Sequence, residues 1–146
     1  MEYQVSVDIK ATADKVWSVL TDVERWPEWS SSMAKLRRLD RGPFERGTRV
    51  RVKQPKLLTA VWTVVDIEPK HSFTWTATNG GVTTVTDHRL APEPNDTVTV
   101  TISVRQAGPL SWLVGMLTSG LTRRYVNMEA EGLKRRCEEG PLAPTT

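Results

Sequence analysis

The chain has 146 residues, 38% hydrophobic and 25% charged, with a formal net charge of +3. A chain of this size buries roughly 68–70% of its unfolded surface, enough for a core without covalent staples. The single cysteine, Cys137, excludes an internal disulfide and a cysteine-rich zinc site, and no stretch reaches the ~18–20 apolar residues of a membrane span. The N-terminus has no basic segment followed by an apolar run, so no secretory signal is expected and the protein is read as cytoplasmic.

Residues 2–10 alternate, with Tyr3, Val5, Val7 and Ile9 against Gln4, Ser6, Asp8 and Lys10, which predicts a half-buried strand. Thr12 is placed to cap a helix, and Asp14 suits its positive end. Val16, Val19, Leu20 and Val23 give that helix one apolar face. Asp22 is placed to cap a second short turn, which Pro27 should end at Trp26. From Met33 to Arg105, about six short runs rich in Val, Thr, Trp and Phe are separated by breakers such as Arg41-Gly42-Pro43, Asn79-Gly80-Gly81 and Pro92-Glu93-Pro94. Short connections between consecutive strands predict an antiparallel meander with one wet face. After Gly108-Pro109 the period changes. Leu110, Leu113, Val114, Leu117, Leu121, Tyr125 and Met128, then Val126, Ala130, Leu133 and Cys137, recur at helical steps. One helix to about Glu139 follows, roughly 45 Å long. Residues 1–139 are read as a single domain and 140–146 as a loose tail.

Charge is unevenly spread. Between Lys35 and Lys56, nine cations face only Asp40 and Glu45, so this stretch carries +7 and the remainder −4 of the net +3. Such a stretch is either a solvated strand face or a surface for an acidic protein or an anionic membrane. Nucleic acid is not expected, because no recognised motif accompanies the basic charge.

The expected fold is α+β: a curved antiparallel sheet of about seven strands wrapped around a long C-terminal helix, with two short helices after the first strand. A bowed sheet meets a straight helix at its ends better than along its middle, which leaves room for an apolar cavity. The segment Lys15-Val16-Trp17-Ser18-Val19-Leu20-Thr21-Asp22-Val23-Glu24-Arg25-Trp26-Pro27-Glu28-Trp29 resembles the opening signature of the START-like (SRPBCC) superfamily. Its nearest branch is the polyketide cyclase/dehydrase and lipid-transport family. Asp66-Ile67-Glu68-Pro69, Thr86-Asp87-His88-Arg89-Leu90 and Gly108-Pro109-Leu110 follow the same order, so the resemblance covers residues 2–138. It implies the helix-grip fold and a hydrophobic cavity but no single activity.

Candidate ligand contacts are Trp29, Phe73, Trp75, Thr86, His88, Val100, Met116, Leu117, Leu121 and Arg124. Trp26 and Trp29 should pack over the cavity mouth. Phe73, Trp75 and Ala77 share a strand face opposite Ser72, Thr74 and Thr76, and should point inward. In the run from Ala60 to Ile67, strict alternation turns Trp62 outward with Asp66, whereas a bulge would reverse it. His88 lies on the face of Leu90 and is either a hydrogen-bonded core histidine, a ligand contact or, as the one catalytic candidate, a general acid or base. Gly115 and Gly120 would widen the cavity, flex the helix or permit close packing. Met116, Leu117 and Leu121 are candidate walls, and Arg124 could hold a polar head group or lie in solvent. Glu138 and Glu139 should be solvated. No metal site or cofactor is expected: His71 and His88 lack ligand spacing, and no glycine-rich phosphate loop or nucleophile elbow is present.

The leading expectation is a binding protein for a small hydrophobic molecule such as a lipid or polyketide, monomeric or homodimeric. An aromatase/cyclase or dehydratase, with His88, Thr86, Tyr125 or Arg124 moving protons, is the second. A membrane-surface or regulatory module, using the apolar start of the last helix and Arg123-Arg124, is the third.

Overall fold

The computed structural model describes residues 2–139; the expected tail lies outside the described residues. Strand β1 (Glu2–Lys10) leads into helix α1 (Ala13–Thr21) and a 3₁₀ turn (Val23–Glu28). Six strands follow: β2 (Lys35–Arg38), β3 (Arg49–Lys53), β4 (Ala60–Glu68), β5 (Ser72–Asn79), β6 (Val82–Glu93) and β7 (Thr97–Ala107), then helix α2 (Ser111–Glu139). They form one seven-stranded antiparallel sheet in the order β1-β7-β6-β5-β4-β3-β2.

Local chemistry accounts for most boundaries. The Thr12 hydroxyl accepts from the Lys15 amide and caps α1. Asp22 does not cap the 3₁₀ turn; it pairs with Arg25 at 3.2 Å. Pro27 does not end that turn either, which runs on to Glu28, because the i→i+3 pattern tolerates the missing amide. Gly108, at φ 113°, lets the start of α2 close on the β5–β6 turn, since the carbonyl of Gly81 stands where a β-carbon would be.

Alternation in β5, β6 and β7 sends Phe73, Trp75, Thr86, His88, Leu90, Val98, Val100, Ile102 and Val104 to the buried face. In β4 a bulge between Val64 and Asp66 inserts Val65 into the register, so Val64 pairs with Trp75 and Asp66 with Thr74. Trp62 and Val64 therefore point inward, while Val61 and Val65 are exposed. The inward orientation of Trp62 comes from that one extra residue.

The second half of α2 packs Ala130, Leu133 and Cys137 into the core. Glu138 is not idle in solvent: its carboxylate accepts from the Lys10 amide and from Lys134 Nζ, both at 2.8 Å. These two bonds, the amide first, hold its carboxyl below the ordinary glutamate range. They also tie the end of α2 to β1. The α2 backbone approaches β1, β6 and β7 but not β3, β4 or β5. The bowed sheet thus grips the helix along one side and stands away from it on the other.

Candidate ligand-binding cavity

The gap between α2 and the β3–β5 side is a cavity of about 520 Å³. The sheet supplies Val52 from β3, Trp62 from β4, Trp75 and Ala77 from β5, Thr84 and Thr86 from β6, and Val104 and Gln106 from β7. Helix α2 supplies Val114, Thr118, Thr122, Tyr125, Val126 and Glu129. Its lip is formed by residues of the β3–β4 loop, among them Lys56, Leu57 and Leu58, and by Asn79 and Gly80 of the β5–β6 turn. The Tyr125 hydroxyl donates to the Pro55 carbonyl and so fastens that loop to α2.

The cavity ends at an aromatic layer. Trp26 is fully buried, satisfies its indole N–H on the Leu20 carbonyl at 2.9 Å, and lies 5.3 Å from Trp75 between ring centroids. Trp62 lies 5.6 Å from Trp75. Below them Phe73 stacks on His88, 4.3 Å between centroids and 15° between planes. His88 has no exposed surface, and its Nε2 lies 3.0 Å from Oε1 of Glu129, which is 5% exposed. Glu129 belongs both to this buried pair and to the cavity wall.

Of the residues expected to contact a ligand, Trp75 and Thr86 stand in the wall. Phe73, His88 and Val100 are buried on the same sheet face but lie outside it, in the closed end of the core. Trp29 neither lines the cavity nor covers its mouth. It is buried behind Trp26, with its carbonyl against Gly132 of α2. Met116 and Leu117 are 74% and 77% exposed and are not walls, and Leu121 and Arg124 are also outside the wall. The reason is helix rotation. The most apolar stripe in the first half of α2 faces away from the sheet, and the inward stripe carries Thr118, Thr122 and Glu129. A wall facing an open space makes fewer contacts than a packed core, so hydrophobicity does not identify it. Gly120 has open space beside it and neither it nor Gly115 lines the cavity; the glycine on which packing depends is Gly132. Trp26, Trp62, Gln106 and Glu129 escaped the sequence reading as wall residues. The available signal for Glu129 was a carboxylate one turn after Tyr125 and Val126 and one turn before Leu133, inside an apolar stripe.

A seven-stranded sheet gripping one long helix, with a cavity between them, is the START-like fold. The chain belongs to the polyketide cyclase/dehydrase and lipid-transport family, whose model matches residues 1–138. Solved structures agree on the fold. A START superfamily protein from Mycobacterium smegmatis has 17% identity and a TM-score of 0.73, over 94% of this chain and 97% of that one. Truncated norcoclaurine synthase from Thalictrum flavum has 15% identity and a TM-score of 0.75, over 97% and 95%. The Zhui aromatase/cyclase from Streptomyces sp. R1128 has 16% identity and a TM-score of 0.69, over 93% and 94%. No curated protein sequence matches the chain. No helix among the described residues is long and apolar enough to cross a membrane.

Proposed function

We propose that the chain binds a small hydrophobic molecule between the sheet and α2. The observation that carries this reading is the cavity of about 520 Å³, walled by Trp62, Trp75, Val104 and Val126 and reached past the β3–β4 loop. At ~25 cal/mol per Å², a ligand burying ~300 Å² of apolar surface gains roughly 7 kcal/mol gross, before the costs of association. Few polar contacts are needed, and the wall offers some: the hydroxyls of Thr84, Thr86, Thr118 and Thr122 among them. Catalysis of the aromatase/cyclase type has less support: His88 is shut behind the wall, Arg124 is exposed, and the Tyr125 hydroxyl is engaged with Pro55. Native mass spectrometry and displacement of an apolar dye across a lipid and polyketide panel test the reading. Saturable one-to-one binding supports it; no retained ligand and no displacement would overturn it.

A second reading, docking on an anionic lipid surface, rests on the rim. Leu58 stands on it, and Trp112, Met116 and Leu117 lie on the first half of α2, each at least 65% exposed. On the outer face of the adjoining sheet edge, Lys35 opposes Lys53 and Arg37 opposes Arg51. None of these four forms an ion pair among the described residues. Like charges directly across a ladder destabilise it, so an anionic partner would relieve an existing cost. Flotation with vesicles containing acidic lipid, lost in purely zwitterionic ones, is the expected result; equal flotation with both would refute it.

A further inference from the structure

The closed end of the cavity joins a buried carboxylate to aromatic rings, and this deepens the binding reading on which it rests. Trp26, Trp62 and Trp75 all reach the wall that contains Glu129, inclined to one another by 55° and 40° rather than stacked. The tautomer of His88 in the Glu129–His88 pair follows from hydrogen-bond accounting. His88 Nδ1 is buried without a partner, and its ring is surrounded by Phe73, Trp26 and Trp75. A doubly protonated imidazole would leave an N–H stranded there. So would a ring protonated on Nδ1 and accepting at Nε2. The arrangements that strand only a lone pair have a neutral imidazole donating through Nε2 to Oε1 of Glu129. A positive group beside it favours the carboxylate form, and the pair then carries one negative charge. Among the described residues the only cation in the wall is Lys56, on the exposed lip, and it forms no ion pair with Glu129. A buried carboxylate without a cation is costly. Tryptophan faces are the best aromatic partners for a positive nitrogen.

We propose that this end of the cavity is a subsite for an organic ammonium group carried on an otherwise apolar ligand. Glu129 supplies the countercharge, His88 holds the carboxylate in place, and Trp26, Trp62 and Trp75 surround the cation. Neutral ligands of the same shape bind more weakly because they leave the carboxylate uncompensated. Carboxylates bind weakest, because they bring a second negative charge.

The test is calorimetric titration at pH 7 with 4-phenylbutylamine, 4-phenylbutanol and 4-phenylbutyrate, which share one body and differ at the end group. The expected order is amine, alcohol, carboxylate, with the amine favoured over the alcohol by at least about tenfold. Glu129→Gln, which keeps the size and can still accept from His88, should bring the amine-to-alcohol affinity ratio close to one. If that variant does not fold, Trp62→Leu, at a half-buried position, should narrow the amine-to-alcohol ratio by about threefold. Equal affinity of amine and alcohol in the unaltered protein overturns the subsite. So does a Glu129→Gln variant that weakens all three ligands alike. If none of the three binds while an apolar dye does, the subsite fails and the hydrophobic-ligand reading stands. If the dye fails as well, both fall.

Discussion

The backbone carbonyl of Trp29 occupies the place where a β-carbon on Gly132 would stand, with its carbonyl carbon 3.0 Å and its ring Cε3 3.2 Å from that point. Two opposing effects decide the outcome of Gly132→Ala. Alanine gains about 1 kcal/mol of helix propensity. Overpacking costs roughly 1–3 kcal/mol, and the obstacle here is backbone rather than a movable side-chain tip. The expected result is a net loss of up to about 2 kcal/mol, read as a lower urea midpoint with an unchanged slope. A raised midpoint would show that the 3₁₀ turn can retreat from α2.

Tyr125 holds the β3–β4 loop through the Pro55 carbonyl, and that loop forms the lip of the cavity. Tyr125→Phe should cost about 0.5–1.5 kcal/mol of stability. It should also accelerate dye release several-fold in stopped-flow measurements, because the loop then opens without breaking that bond. An unchanged release rate would place the exit elsewhere.

Ala77 is buried on the inward face of β5 and stands in the cavity wall. Ala77→Trp should fill part of the open volume, weakening dye affinity by about tenfold or more. The thermal midpoint should hold or rise, since the added ring enters empty space rather than a packed core. Full dye binding together with an unperturbed midpoint would mean that ligand does not use this part of the cavity.

Burial pushes the Cys137 thiol up to about 11. The thiol is an acid whose value is raised by folding, so its contribution to stability is complete below the free thiol's 9.0 and fades as pH rises towards 11. Iodoacetamide should leave the folded protein unmodified at pH 8 and label it rapidly in urea. Rapid labelling without denaturant would reveal local opening of the α2 end.

Lys53 faces Lys35 across the β2–β3 ladder. Lys53→Glu should convert a repulsive pair into an attractive one and raise the thermal midpoint by a few degrees at low salt. If the rim docks on anionic lipid, the same variant should lose flotation. Greater stability with undiminished vesicle binding would separate the basic face from docking.

The alternation in residues 2–10, the Val-, Thr-, Trp- and Phe-rich runs between breakers from Met33 to Arg105, the Thr12 cap and the helical steps after Pro109 were enough to read about seven strands and a long last helix. Each depends on neighbours a few residues apart. The basic run was equally legible, but its arrangement as opposed like charges required the β2–β3 register. Met116 and Leu117 were misplaced because an apolar stripe normally marks the buried side of a helix; here the buried side of the first half faces a cavity and carries hydroxyls.

Element order, strand count and the apolar character of the sheet's inner face belong to the sequence by itself, because side-chain periodicity is a local property. Tertiary structure alone decided the rotation of α2, the inward turn of Trp62 and the meeting of His88 with Glu129. A one-residue bulge inverts a strand's faces, and packing 41 residues away selects the helix face that meets them.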